Sequence, residues 1–230
     1  MRRREFTKLA LAGAVGAVGA PAAVKARTAL HENAAGNEAK RTKRIDVEHC
    51  CGLIIDVQDS FLSQLDGYRR TKILWSTKDF AHLLGLFKIP IVVTLEKPID
   101  KNGASPQEFS EELNDLSKTF EKAFFDLSRE QPIREHIAGL NRRQVIVAGC
   151  ETDVCVLQSC LGLLNLGYEV YMAENLLFTA SPDVTAAIAR MKAEGAIFIS
   201  YKSLFYELTA TVENETALMQ SGPVTKDLSR

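Results

Sequence analysis

The sequence has no Cys-x-x-Cys pair, and its four histidines, at 31, 49, 82 and 136, are scattered. The ligand spacing of a structural zinc site is therefore missing, and no structural metal is expected. The cysteines, five in number at 50, 51, 150, 155 and 160, cannot all pair within one chain, which leaves at least one free thiol. An excess of one charge is also missing. Lysine plus arginine, 28, nearly cancel aspartate plus glutamate, 29, so no overall field draws the chain to nucleic acid or anionic lipid, and a small molecule is the expected partner. No apolar run reaches the about 20 residues of a stable membrane span, and no internal repeat or low-complexity tract follows residue 45. What is present, 46% apolar and 25% charged residues over 230 positions, suits one compact α/β domain.

The amino end does not belong to that domain. Arg2, Arg3 and Arg4 precede a weakly apolar Ala/Gly-rich run from Leu9 to Val24, the pattern of an export signal. Arg3-Arg4-Glu5-Phe6-Thr7-Lys8 resembles the twin-arginine motif. The run contains glycines and Pro21, which favours cleavage over anchoring, at Ala20 and Ala22 or at Val24 and Ala26. Residues 1–26 are thus expected to be a twin-arginine signal peptide of a periplasmic or otherwise exported protein. Residues 27–44, polar and without period, read as a linker. The domain is expected from Ile45 to 230, ending in a loose tail. Substrates of the twin-arginine route fold before export, so the thiols would be buried while still reduced, and a disulfide framework is not expected.

Within the domain, short apolar runs alternate with helical patterns, which predicts βαβ units. Strands are expected at Gly52 to Ile55, Ile89 to Leu95, Val145 to Ala148, Glu169 to Ala173 and Ala196 to Ser200, with Cys50 and Cys51 opening the first. A helix between the first two draws its apolar face from Trp75, Phe80, Leu83, Leu84 and Phe87. Another is expected after Ser181 as cap and Pro182 in its first turn, with Val184, Ala187, Ile188 and Met191 on one face and Gly195 ending it. Right-handed crossovers then give a three-layer α/β/α fold around a mostly parallel sheet. Residues 98 to 126 form a turn-rich excursion with a short helix pattern around Gln107 to Leu116, either a functional loop over the sheet edge or a tolerated insertion.

In such a sheet, residues just after separate strands converge on one edge. Asp56 closes the first strand, and Cys155 opens the apolar helix that follows the strand at Val145. A cysteine at a helix N-terminus is expected to have a lowered pKa and to act as a nucleophile. Taken singly, a strand-end aspartate is more often a turn or cap and a helical cysteine more often core. Together, the words Leu53-Ile54-Ile55-Asp56-Val57-Gln58-Asp59-Ser60-Phe61 and Gly149-Cys150-Glu151-Thr152-Asp153-Val154-Cys155-Val156-Leu157-Gln158 resemble the two signatures of isochorismatase-like hydrolases. The resemblance extends over about residues 45 to 210 and includes Phe120-Glu121-Lys122-Ala123-Phe124-Phe125, similar to the family's lysine motif, with Asp126 where a serine is common. Lys97, in Thr94-Leu95-Glu96-Lys97-Pro98, is the alternative lysine, and Glu96 is read as the strand-end residue of that segment.

The resemblance implies Asp56, Lys122 and Cys155 as the catalytic residues. The Cys155 thiolate attacks an electrophilic carbon, commonly an amide carbonyl, water hydrolyses the thioester with Asp56 as base, and Lys122 orients and balances charge. It further implies an oxyanion hole at the backbone N–H groups of Glu151 and Cys155, a cis peptide between Cys150 and Glu151, and assembly into a homo-oligomer. No cofactor is implied. The metal of nicotinamidases in this family is held by an aspartate and histidines after the second strand, where this chain reads Glu96-Lys97-Pro98-Ile99-Asp100 without histidine. Phe61, Leu62, Phe124 and Phe125 are either pocket wall or core. Cys160 reads as helix core, Cys150 as part of the strand-end turn, Glu151 as solvent-facing and Asp153 as a cap of the cysteine helix. The alternative to a hydrolase of small C–N bonds is a non-catalytic binding or scaffold protein that keeps the fold.

Overall fold

The computed structural model describes residues 43–221 and 224–226. The expected signal peptide and most of the expected linker lie outside the described residues. Strand β1 (Cys50–Ile55) leads through a short helix α1 (Asp59–Leu62) into α2 (Gly67–Leu86), and β2 (Ile91–Glu96) into α3 (Ile99–Asn102) and α4 (Gln107–Ser110). Then come β3 (Lys118–Lys122), α5 (Gln131–Gly139), β4 (Gln144–Gly149), α6 (Cys155–Asn165) and β5 (Glu169–Leu177). The chain finishes with α7 (Thr185–Ala193), β6 (Ile197–Ile199), α8 (Tyr201–Thr209) and α9 (Val212–Ser221). The sheet has the order β3-β2-β1-β4-β5-β6, and every adjacent pair is parallel.

Alternation along the strands sorts the apolar residues into two cores. Ile54, Val93 and Ile146 face Phe80, Leu83 and Leu84 of α2 and Leu204, Phe205 and Leu208 of α8. Leu53, Val92 and Val147 face Ile133 and Ile137 of α5, Val156 and Leu163 of α6, and Ala187 and Met191 of α7. These are the three expected layers, helices on both faces of a sheet whose central strands are buried on both sides.

Three expectations are corrected. Among the described residues the sheet has six strands where five were expected, because β3 is charged and mostly exposed, with only Lys122 fully buried; it is an edge strand, where exposed lysine guards against pairing with another chain. Trp75 does not join the apolar face of α2: it is 59% exposed with the Lys78 ammonium over its ring. Ser181 does not cap α7, which begins at Thr185 after Val184. Its hydroxyl instead donates to Asp153 Oδ2 at 2.6 Å. Gly195, at φ 107°, does end α7 in a left-handed conformation, with the Ala196 N–H reaching back to the Met191 carbonyl at 3.0 Å.

Two glycines bring the site's supports close together. Gly149 ends β4 at φ 119°, and a Cβ there would collide with the Ile55 backbone. Gly162 on α6 lies against the turn at Leu127–Arg129, where a Cβ would meet Asp126 and Ser128 side chains. Asp126 caps that turn by accepting from the Ser128 N–H at 2.9 Å. Gly162→Ala should push this turn off α6 and cost about 1–3 kcal/mol, read as a lower midpoint in denaturant unfolding; an unchanged midpoint would show that the turn yields freely.

Candidate active site

The sheet order reverses between β1 and β4, and the carboxyl ends of those two strands flank the crevice where ligands of open α/β sheets are bound. Asp56 stands directly after β1 in the left-handed region, at φ 50°, a conformation that aspartate tolerates better than most residues. It is fully buried, its N–H donates to the Thr94 carbonyl at 3.1 Å, and its Oδ1 accepts from Thr94 Oγ1 at 2.8 Å. Lys122 ends β3, paired in register with Glu96 at the end of β2. It too is fully buried.

The Lys122 ammonium is the hub. Its Nζ lies 2.6 Å from Asp56 Oδ2, 3.5 Å from Glu96 Oε2 and 3.4 Å from Cys155 Sγ. Three strands and one helix thus deliver one cation, two carboxylates and a thiol to a single point. Lys97 goes elsewhere, exposed at the surface and 3.5 Å from Glu121, so Lys122 is the lysine at the site. Glu96 was placed at the strand end by the sequence, but its neighbour was not: Cys155 Sγ donates to Glu96 Oε2 at 2.9 Å.

Burial works against the charge on Lys122, and Asp56, the Cys155 sulfur and Glu96 outweigh it, so the ammonium is held above its usual pKa. Burial raises the Asp56 pKa, with Lys122, Thr94 and a hydrogen bond from the Cys155 thiol opposing. The Cys155 thiol is pushed up by burial first and by Asp56 next, Lys122 opposing and Glu96 adding to the rise. This corrects the expectation of a lowered thiol pKa. The helix N-terminus is where the sequence put it, since Cys155 opens α6, yet a thiol 3% exposed beside two carboxylates is better off protonated. Alkylation of Cys155 by iodoacetamide should therefore be slower at neutral pH than that of an unperturbed thiol, and should accelerate into the alkaline range. A reaction titrating at or below neutrality would overturn this charge balance.

The Cys150–Glu151 peptide is cis, as the resemblance implied. Among the described residues, the N–H groups of Glu151 and Cys155 have no acceptor, whereas those of Thr152, Val154 and Val156 are bonded to backbone carbonyls. Asp153 does not cap α6, which has no side-chain cap; its carboxylate accepts from Thr179 Oγ1 at 2.9 Å and from Ser181. Glu151 is partly buried. Burial raises its pKa, helped by the charges of Asp153 and Glu96. Cys150 lies in the strand-end turn with its Sγ on the Asp56 carbonyl at 3.0 Å, and Cys160 is buried in α6. Among the expected pocket residues, Leu62 is core, Phe61 packs partly against it, and Phe124 and Phe125 are exposed, with the Arg129 guanidinium over Phe124.

The oxygen and sulfur atoms of Asp56, Glu96 and Cys155 lie within 4.8 Å of one another, close enough to surround a cation. The cation they surround is Lys122, whose Nζ contacts all three. The described histidines are engaged elsewhere: His49 pairs with Asp46, His82 with Glu112, and His136 packs against Phe120.

A buried thiol, lysine and aspartate meet at the switch point of the parallel sheet, and comparison with known proteins gives the family. Residues 50–203 match the isochorismatase domain, and the chain belongs to the isochorismatase family of hydrolases. It is 27% identical over 185 residues to the secreted isochorismatase effector Isc1 of Phytophthora sojae, covering 79% of this chain and 87% of that one. Among solved structures it resembles the YcaC gene product of Escherichia coli, described as an octameric hydrolase of unknown specificity, with a TM-score of 0.71 and 20% identity over 80% of this chain and 90% of that one. It also resembles the MAR1 ribonuclease of Caenorhabditis elegans, with a TM-score of 0.69 and 23% identity over 80% and 96%. At these identities the two structures speak for the fold. Among the described residues, no helix is long and apolar enough to cross a membrane.

Proposed function

We propose that this protein is an exported cysteine hydrolase that cleaves a C–N bond in a small amide. The Cys155 sulfur attacks the carbonyl carbon, the C–N bond breaks to leave a thioester, and water hydrolyses the thioester with Asp56 as base. Lys122 holds the charge of the site and orients the sulfur. The unengaged N–H groups of Glu151 and Cys155 bind the developing oxyanion. The observation that carries this reading is the single ammonium between Asp56 and Cys155, at 2.6 and 3.4 Å: it stabilises the thiolate when it forms and keeps Asp56 available as a base.

Export is supported by the twin-arginine pattern at Arg3-Arg4 and by the secreted relative in Phytophthora. A homo-oligomer is supported by the octameric Escherichia coli protein of the same fold and by the exposed Phe124 and Phe125 beside the lysine. The test is intact-mass spectrometry of the mature protein mixed with a panel of small amides. The expected result is an acyl adduct confined to the peptide bearing Cys155, with release of the amine. Absence of adduct and turnover across the panel, with the thiol shown to be reduced, would reject the amide reading.

A further inference from the structure

Asp56 is occupied from both sides. Its Oδ1 accepts from Thr94, its Oδ2 faces the ammonium at 2.6 Å, and it is wholly buried. Glu96 differs in each respect. Its Oε2 lies 3.5 Å from the ammonium, its side chain is 18% exposed, and it already accepts the Cys155 S–H at 2.9 Å.

The backbone of Glu96 is held with some care. Gln58, fully buried, receives the Glu96 N–H at 2.7 Å on its Oε1 and donates through Nε2 to the Glu96 carbonyl at 3.2 Å. The same amide donates to the Gly103 carbonyl at 2.8 Å, and Asn102 donates to the Glu96 carbonyl at 3.1 Å. The excursion after β2 thereby closes back on the strand end that carries Glu96. A side chain whose backbone is fixed by a buried amide on one flank and a loop on the other is positioned, not incidental.

We infer that Glu96 is a further catalytic residue: its carboxylate takes the proton of the Cys155 thiol as the sulfur attacks, and returns it to the leaving nitrogen. The inference rests on the amide-hydrolase reading and divides its proton work between two carboxylates. In the first half, the S–H proton moves to Glu96 Oε2 while the C–S bond forms and the carbonyl π pair moves to oxygen. Collapse of that oxyanion breaks the C–N bond, and the carboxylic acid of Glu96 protonates the departing amine. Glu96 is then again a carboxylate and Cys155 a thioester. In the second half, Asp56 takes a proton from water as it attacks, the C–S bond breaks, and the sulfur regains the proton. The sum is amide plus water to carboxylic acid plus amine, with both residues restored.

The charged and titratable groups acting on the thiol are Asp56 from the end of β1, Glu96 from β2, Lys122 from β3 and Cys150 from the turn after β4, and Glu151 in that turn acts on Glu96. Glu96 raises the thiol pKa both through its charge and as the hydrogen-bond acceptor. Removing its charge should move two readouts in opposite directions. In Glu96→Gln, alkylation of Cys155 by iodoacetamide at neutral pH should rise, by about tenfold for each unit of pKa lost. In the same variant, kcat/KM for an amide should fall by about a hundredfold or more, the usual contribution of a positioned acid–base group. Acylation by p-nitrophenyl acetate, whose phenolate leaves without needing a proton, should not share that fall. Glu96→Asp, which keeps a carboxylate, should recover part of the amide activity, and unchanged thermal melting of both variants would show that they fold.

A Glu96→Gln enzyme that alkylates no faster than wild type overturns the inference, as does one that keeps amide turnover within about threefold of wild type. Wild-type protein that is acylated by p-nitrophenyl acetate yet cleaves no amide would reject the amide reading instead, and the alkylation arm then decides for or against Glu96 as the proton acceptor.

Discussion

Cys155→Ser should lower turnover by on the order of 10⁴-fold or more, the size seen when the nucleophile of an acting unit is removed, and should abolish the covalent adduct. The reasoning is local. A serine hydroxyl is a far weaker acid than a thiol, and this position disfavours even the thiolate: burial and the carboxylate oxygen at 2.9 Å oppose it and only the ammonium at 3.4 Å supports it, so an alkoxide is out of reach. No other thiol can substitute. Cys150 is turned against the Asp56 carbonyl, and Cys50, Cys51 and Cys160 are fully buried, with burial holding Cys51 and Cys160 up at about 12. Kinetics under single-turnover conditions together with intact-mass spectra check this result. Retention of more than about a hundredth of wild-type turnover, or an adduct on another cysteine, would move the nucleophile away from Cys155.

How much of this site is legible in the sequence depends on whether its residues end strands or merely meet in space. Asp56 and Cys155 are separated by most of a domain, yet both stand just beyond parallel strands, and the strand-end rule brings such positions to one edge. The central strands were readable for the same reason: Leu53 to Ile55 and Val145 to Ala148 are buried on both faces and so are apolar without interruption. β3 was not readable, because its Lys118-Thr119-Phe120-Glu121-Lys122 run carries the charge of an edge and none of the alternation of a core strand. The lysine in it was found by its motif, not by its strand.

The thiol's charge state failed for a deeper reason. A helix N-terminus is a property of one segment and can be inferred from sequence, while the two carboxylates around Cys155 arrive from β1 and β2 and reverse the balance. The same holds for Ser181 and Asp153. Each is a plausible cap for its own helix, and neither caps it because they bind one another at 2.6 Å. Glu96 stood in view at a strand end, with nothing in its own segment to reveal that a helix more than fifty residues on would bring a thiol to its oxygen.

Lys122→Met should destabilise the fold by about 3–5 kcal/mol, because it removes one partner of an ion pair whose two side chains are both fully buried and leaves Asp56 as an uncompensated charge. Methionine fills the volume of the lysine stem, so packing changes little and the loss is mainly electrostatic. The pH dependence follows from the direction of each shift. In wild type, the folded-state pKa of Lys122 is raised, so the stability it contributes is fully present below the unfolded value of about 10.4 and is lost as pH rises through the folded value. In the variant, Asp56 loses the ammonium that opposed its own upward shift and takes up a proton on folding. Its folded pKa then stands well above the unfolded value of about 3.9, so the variant is least impaired in acid and loses stability as pH climbs through that window. Adding Asp56→Asn to Lys122→Met removes the stranded charge and should recover a large part of the loss, a coupling visible in a double-mutant cycle by urea unfolding. A single variant within about 0.5 kcal/mol of wild type, or a double variant no better than the single, would mean that the pair is solvated and that the ammonium does not hold the charges of this site together.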